Sequence, residues 1–202
     1  SHYFAYADGV LYKAEIGATL DYQGDDPSAY AKSFTQLTRE NDADMGPLIE
    51  FIKFISESDD ATFEKELPVH FDVDSFATYL AYNNMVVNLD SVGGMNNNYY
   101  LYYDEISQKF TLLMWDANES LGKLGGRNQS PSYDLYYQGQ QGGFMRMGGG
   151  SNILMKRFLA NPTFTALYEE KLETIYQQIY ASGALSTQVE TYAAMVRQAN
   201  QE

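Results

Sequence analysis

The sequence contains no cysteine and only two histidines among its 202 residues. Without thiols it can form neither disulfides nor thiolate metal sites, and cysteine usage therefore leaves the cellular compartment open. The histidines, His2 and His70, stand far apart and show neither metal-ligand spacing nor an arrangement with a serine nucleophile. We expect each to be an ordinary surface or boundary residue. No glycine loop ends in Lys-Ser or Lys-Thr, so no Walker-type phosphate site is predicted.

Basic residues are also scarce, since 13 Lys and Arg stand against 27 Asp and Glu and give a formal net charge of -14. Nucleic acids and anionic membranes are both bound through positive charge, so both classes of partner are disfavoured. The simplest interpretation is a solvated acidic surface, which would also suit a basic protein partner.

Long apolar runs are absent too, because none approaches the roughly 18–20 residues that span a bilayer. The N-terminal residues lack the basic and then apolar layout of a signal peptide. The chain begins without a methionine in sequence that looks structured. We therefore expect either that a leader has been removed or that the chain is a piece of a longer protein.

The stretch from Asn88 to Asn118 holds most of the chemically distinctive residues. Two apolar and aromatic runs, 99–103 and 110–115, flank the polar connection 104–109, which is typical of a β-hairpin with a longer loop. Carboxylates and carboxamides cluster at the outer ends of both runs. The stretch therefore predicts a hairpin with a polar open end.

That open end predicts an oxygen-rich site, because antiparallel pairing places Asn98 near Asp116 and a glycine pair leads back to Asp90. Two carboxylates and a carboxamide form a hard ligand set that suits Mg²⁺. In phosphoryl transfer one acid orients or deprotonates the attacking hydroxyl while other groups hold the metal, so Asp90 is the candidate acid and Asn98 and Asp116 are candidate ligands. The alternatives stay open: Asp90 as a polar cap, Asn98 as a turn residue, and Asp116 as a loop acid beside a buried Trp115.

Helical periodicity dominates the remainder, and the length favours one domain. A strand is predicted at 9–15, and the polar segment 17–44 is predicted to be surface loop with at most one helical turn. The predicted helices are 47–55, 59–67 stopped by Pro68, 72–89, 151–160, 161–182 before Gly183, and a last one to about Gln198 with a Thr187/Glu190 capping box. The segment 122–150 is rich in glycine and tyrosine and predicts either a functional loop or an irregular packed one. Helices with one hairpin define an α+β fold.

Several of these residues resemble the core motif of the CotH family, the spore-coat-associated atypical protein kinases. They are Asn-Leu-Asp at 88–90, Asn-Asn-Tyr-Tyr-Leu-Tyr at 97–102, Phe110 and Trp115-Asp116. Similarity to other family segments extends to 9–15, 71–76 and 154–168, so the resemblance covers most of the chain.

The resemblance implies a mainly helical, kinase-like large lobe with a central hairpin. In it Asp90 is the catalytic acid, while Asn98 and Asp116 bind Mg²⁺ that bridges the phosphates of ATP. Where the family commonly has a second Asp, this chain has Asn118, which offers a carbonyl oxygen without charge and is included among the metal ligands. The family's upstream lobe, with its phosphate-contacting lysine, has no counterpart here. Residues 1–202 are therefore expected to be a single domain, the C-terminal lobe, which alone binds nucleotide poorly and transfers no phosphoryl group.

The expected function is transfer of the ATP γ-phosphoryl group to Ser or Thr of a protein, by an extracellular or cell- or spore-surface protein, with a basic substrate fitting the acidic surface. A catalytically silent interaction or scaffold module is the alternative. A sugar-binding module, suggested by the eighteen tyrosines, ranks third because several of them lie at helical spacing and read as core.

Overall fold

The computed structural model of the protein describes residues 9–42, 44–121, 123–124 and 152–200. These residues form a mixed fold of six α-helices and a four-stranded antiparallel sheet with strand order β2-β1-β3-β4. The strands are β1 (Val10–Ala14), β2 (Phe34–Gln36), β3 (Tyr99–Asp104) and β4 (Lys109–Met114). The helices are α1 (Gly46–Glu57), α2 (Asp60–His70), α3 (Val73–Met85), α4 (Ile153–Ala160), α5 (Pro162–Ile175) and α6 (Ala184–Ala199). Short 3₁₀ turns cover Pro27–Tyr30 and Glu40–Asp42, and a π turn covers Tyr176–Ala181.

The predicted hairpin is confirmed and forms half of the sheet. Its strands β3 and β4 pair from Tyr99 with Met114 to Asp104 with Lys109. On its other side β3 pairs with β1, so the aromatic strand lies inside the sheet. Tyr99 is completely buried, and its hydroxyl donates to the main-chain oxygen of Ala18 at 3.1 Å. The hairpin is therefore anchored in the core, and its open end is held in place against the segment after β1 by the hydrogen bond from Tyr99 to Ala18.

The prediction of surface loop for 17–44 is wrong in part. The edge strand β2 lies in this segment, and the side chains of Leu20, Tyr30 and Phe34 are buried. Three strand residues are too few to show an alternating pattern, so the strand is defined by its pairing with β1 and not by a local signal.

Two predicted helix ends are corrected. Helix α2 continues through Pro68 to His70 because the proline lies in the last turn, where it costs one hydrogen bond while the Phe71 N–H still donates to the Leu67 oxygen at 2.8 Å. Helix α3 does begin after the N-cap Asp72, but it ends at Met85 and not at Leu89. Asp90 therefore lies in an irregular segment, not directly after a helix end.

The C-terminal helices show one further correction. Asn161 caps α5 and Pro162 opens it, as predicted. Gly183, at φ +74°, separates the π turn from α6 in the left-handed region that favours glycine. The predicted capping box is wrong because α6 begins at Ala184, which places Thr187 inside the first turn with its hydroxyl donating to the Gly183 oxygen at 3.1 Å.

The hydrophobic core surrounds α3, which contacts both β4 and α5. Phe76, on α3, is fully buried and meets Phe71 and Phe158 edge to face, with ring centroids 5.3 and 5.1 Å apart. Among the described residues no helix is long and apolar enough to cross a membrane. Most of the predicted loop 122–150 lies outside the described residues.

Candidate active site

The candidate site lies at the open end of the hairpin, where the segment after α3 meets β3. Asp90 is partly buried there, and both oxygens of its carboxylate accept hydrogen bonds. The Asn97 amide donates to Oδ1 at 2.9 Å and the Asn98 amide donates to Oδ2 at 2.8 Å. A carboxylate only accepts, so the amide nitrogens must face Asp90 and the carbonyl oxygens occupy the other branch of each side chain. The two asparagines therefore hold the carboxylate while keeping an oxygen for another ligand.

Asn98 also connects Asp90 to the end of β4. Its main-chain oxygen accepts from the Trp115 N–H at 3.2 Å, which extends the ladder one step beyond the strands. Its side-chain amide lies 3.3 Å from the main-chain oxygen of Asp116. Asn98 therefore contacts both the Asp90 carboxylate and the main chain of Asp116, while the convergence of the Asp116 carboxylate and the catalytic and metal-binding roles of all three residues stay predictions.

Asp116 and Asn118 both project from the rim of the site and are exposed. The Asn118 N–H lies 3.4 Å from the Asp116 carboxylate, and Asp116 has φ +49°. The neighbouring Trp115 is 42% exposed and packs against Tyr100, with ring centroids 5.6 Å apart. Trp115 is therefore not buried as one alternative assumed, because it lies past the strand end at the edge of the sheet, while the interpretation of Asp116 as a loop acid stays open.

Hydrogen bonds through the buried side chains of Asn83 and Asn88, here called the carboxamide relay, connect Asp90 to helix α3. The Asn88 amide donates to Oδ1 of Asn83 at 2.8 Å, and the Asn83 amide donates to the main-chain oxygen of Tyr79 at 2.8 Å. In turn Oδ1 of Asn88 accepts from the Asp90 N–H at 3.2 Å. Asn83 and Asn88 are 0% and 1% exposed, so this relay ties the candidate acid to helix α3 without help from solvent.

Sequence reasoning missed Asn83, Asn88 and Asn97 as members of the site. Asn97 carried one signal, since it belongs to a run of three asparagines, but the run alone does not say which side chain turns toward Asp90. Asn83 carried none, because an asparagine in a helix is ordinarily a surface residue. Its hydrogen bond with Asn88 forms only when the segment after α3 has folded back against that helix.

The segment between Asp90 and the hairpin is also held closely. The Val92 N–H donates to the Tyr79 hydroxyl at 3.2 Å, and burial raises the pKa of Tyr79 so that this hydroxyl stays protonated. A Cβ added at Gly94 would lie 1.9 Å from the main-chain oxygen of Leu89. The oxygen of Leu89 also accepts from the Met95 N–H at 3.0 Å, so only glycine allows the turn to close.

Carboxylate and carboxamide oxygens, the kinds of donor that Mg²⁺ prefers, occur at the open end of the hairpin. Asn98 keeps its carbonyl oxygen on the branch opposite Asp90, and Asp116 and Asn118 follow the end of β4 in the sequence. Within the described ranges no group of three or more His, Asp or Glu side chains is placed to hold a metal. One or two carboxylates, with water and phosphate oxygens completing the shell, are the usual requirement of Mg²⁺.

Comparison with known families agrees with the motif. The sequence model of the family described as CotH kinase protein matches residues 1–202, the entire chain. The chain therefore belongs to the CotH kinase family, and the resemblance noted in the sequence is confirmed. None of the curated proteins compared with the chain matches it. Membership of this family indicates that the chain is part of a kinase-like protein.

Proposed function

We propose that this chain is the kinase-like large lobe of a protein kinase that transfers the γ-phosphoryl group of ATP to a Ser or Thr hydroxyl of a protein. The observation that carries the proposal is the hydrogen-bonded chain from Asp90 through Asn98 to Asp116, found in a member of the CotH kinase family. We also propose that the lysine contacting the phosphates belongs to an upstream lobe, and that the protein acts outside the cell or at a cell or spore surface.

In this proposal Asp90 accepts the proton of the attacking hydroxyl. The hydroxyl oxygen bonds to the γ-phosphorus, the bond from that phosphorus to the bridging oxygen breaks, and ADP leaves. The amides of Asn97 and Asn98 hold the carboxylate in one orientation before substrate binds, which removes a reorganisation cost from the reaction. The main-chain N–H of Asp90 is also held, by a hydrogen bond that it donates to the side chain of Asn88.

Asn98, Asp116 and Asn118 would hold Mg²⁺ with ATP. Bound there, the ion neutralises charge on the phosphates, worth several kcal/mol of the transition state. A basic protein substrate is proposed because the chain carries a net charge of -14, which attracts cationic partners and speeds their encounter.

The test separates nucleotide binding from transfer, in a polypeptide that includes the proposed upstream lobe. Mg-ATP binding is measured by titration calorimetry. Transfer is followed with radiolabelled ATP and a basic protein. We expect Asp90→Asn to reduce the transfer rate about 10²- to 10⁴-fold with Mg-ATP binding retained. The control is Asp21→Asn, which removes an exposed carboxylate far from the site in the sequence.

The metal role has its own variant, Asp116→Asn, which keeps the shape of the side chain and removes its charge. We expect a higher Mg²⁺ concentration for half-maximal transfer and a rate lowered by at least about 100-fold, since several kcal/mol of charge stabilisation are lost. Near-normal turnover at ordinary Mg²⁺ concentration would contradict the metal role, and near-normal turnover of Asp90→Asn would contradict the role of the acid.

A second candidate function is a catalytically silent interaction module on the same fold. It is favoured by the engagement of both Asp90 oxygens in hydrogen bonds to amides, which is also how a purely structural carboxylate is held. The absence of transfer to any basic protein, together with a loss of stability in Asp90→Asn, would establish this function in place of the kinase.

A further inference from the structure

A cavity of about 170 Å³ lies at the turn end of the hairpin, away from Asp90. Its walls come from the first turns of α1, the last residue of α2 and the ends of β3 and β4. Tyr103 and Phe110, which pair across the hairpin, form one wall, while the candidate site begins beyond Tyr99. Four residues of strand separate the two positions by roughly 14 Å. The cavity is therefore distinct from the site of the proposed chemistry.

The inner surface of the cavity is aromatic. The Phe110 ring lies between Phe51 and Tyr103, with centroid distances of 4.9 and 4.8 Å. Phe54 and His70 add a further pair of rings, 5.2 Å apart. Aromatic faces carry partial negative charge, so such a surface attracts cations as well as apolar groups.

The outer part of the cavity is acidic. Glu50 lines it and is exposed, and the ion pairs found among the described residues do not include this carboxylate. Burial, followed by the negative charges of Glu105, Glu50, Asp44 and Asp104, raises the pKa of Tyr103. Of these four carboxylates, Glu50 also lines the cavity.

Basic residues near the cavity offset only part of the negative charge of these carboxylates. Arg39 forms ion pairs with Glu105 and Asp42, and Lys109 is the strand partner of Asp104. Neither pairs with Glu50, which lines the cavity.

We propose that this cavity binds a lysine or arginine side chain of a protein partner. Such side chains lay an apolar stem along hydrophobic surface and keep the charged end at the rim, which matches an aromatic interior with a carboxylate at its mouth. Arginine fits better than lysine, because its planar guanidinium stacks on aromatic rings and binds a carboxylate through two hydrogen bonds. Identifying the partner as the phosphorylated protein rests on the proposed function. If the partner is the substrate, the cavity binds a basic residue of that protein that is separate from the Ser or Thr whose hydroxyl accepts the phosphoryl group.

The test begins with binding alone, measured by heteronuclear NMR on the 202-residue chain with the capped peptide Gly-Ser-Arg-Ser-Gly. We expect shifts of the Glu50, Phe54 and Tyr103 signals that saturate with peptide. Replacing the peptide arginine by glutamine should weaken binding at least about fivefold, through loss of both the ion pair and the cation–π contact. No saturable shift at these residues would overturn the proposal.

The matched protein variants are Glu50→Gln and Glu57→Gln, which make the same charge change on the same helix. Both side chains are exposed, and Glu57 lies at the far end of α1 outside the cavity. Glu50→Gln should weaken peptide binding about two- to fivefold, with Glu57→Gln unchanged. Equal weakening by both would show general attraction to an acidic protein and would overturn the cavity as the site.

Phosphoryl transfer to the same peptide, measured in the polypeptide that includes the proposed upstream lobe, distinguishes this proposal from the proposed function. Binding that depends on Glu50 without any transfer would leave the cavity intact and remove the kinase activity. Transfer whose KM is unaffected by Glu50→Gln, with no peptide shifts at the cavity, would remove the binding site and leave the kinase.

Discussion

The carboxamide relay behind Asp90 makes a stability prediction that does not depend on function. Asn88→Ala removes the donor to Oδ1 of Asn83 and the acceptor of the Asp90 N–H, which the structure places at 2.8 and 3.2 Å. Asn83 is completely buried, so its oxygen is left without water to replace the lost partner. The Asp90 N–H belongs to a partly buried residue, where water can compensate in part.

The magnitude follows from these two environments. An unsatisfied buried acceptor costs about 1–3 kcal/mol, and an amide that regains some water loses about 0.5–1 kcal/mol more. We therefore expect Asn88→Ala to lower the free energy of unfolding by about 1.5–4 kcal/mol. The control Asn97→Ala removes one hydrogen bond from the same Asp90 at a partly exposed position and should cost about 1 kcal/mol or less.

The assay is urea unfolding followed by far-ultraviolet circular dichroism, which reports the six helices. The midpoint should fall while the slope against urea stays constant, since the surface exposed on unfolding is nearly unchanged. A free energy of unfolding for Asn88→Ala within about 0.5 kcal/mol of the unmutated chain would refute the reasoning, because that is the scatter of neutral surface changes. An equal loss in Asn97→Ala would also refute it.

Two further predictions concern the turn after Asp90 and the contact between α2 and α5. Gly94→Ala should destabilise the chain by about 1–3 kcal/mol, since its Cβ would lie 1.9 Å from the Leu89 oxygen, and an unchanged melting temperature would contradict this. Hydrogen bonds from Thr163 and then Asn161 lower the pKa of Glu64 below its ordinary value of 4.5. The stability that this carboxylate contributes is therefore complete above pH 4.5 and is lost as the pH falls through the lowered pKa. Acid titrations followed by circular dichroism should show a shallower loss for Glu64→Gln, and superimposable curves would exclude this contribution.

Several local features could be predicted from the sequence because the responsible interactions join near neighbours in the chain. Asn161 and Pro162 mark the start of α5 through hydrogen bonds and geometry within one turn. The hairpin appears as two apolar and aromatic runs around a polar connection, and antiparallel pairing then brings Asn98 to Asp116 whatever the rest of the chain does. The path back to Asp90 was also predicted, since a glycine pair separates it from the strand.

Other local signals were outweighed by contacts between distant residues. Pro68 predicts a helix end, yet α2 runs on to His70, after which Phe71 forms a bridge with Phe110 of the hairpin. The periodicity after α3 predicts helix to Leu89, but the helix ends four residues earlier and its C-terminal part holds the relay to Asp90.

By itself, the sequence determined the family, the hairpin, most of the helices and the three residues that meet at its open end. Only the tertiary structure decided how Asp90 is held, that Trp115 is exposed, and that Glu50 stands over an aromatic cavity. The physical reason is the separation along the chain between the residues that interact. Strand pairing and helix caps act within a few residues, whereas the burial of Asn83 and the walls of the cavity depend on segments that approach only when the chain is folded.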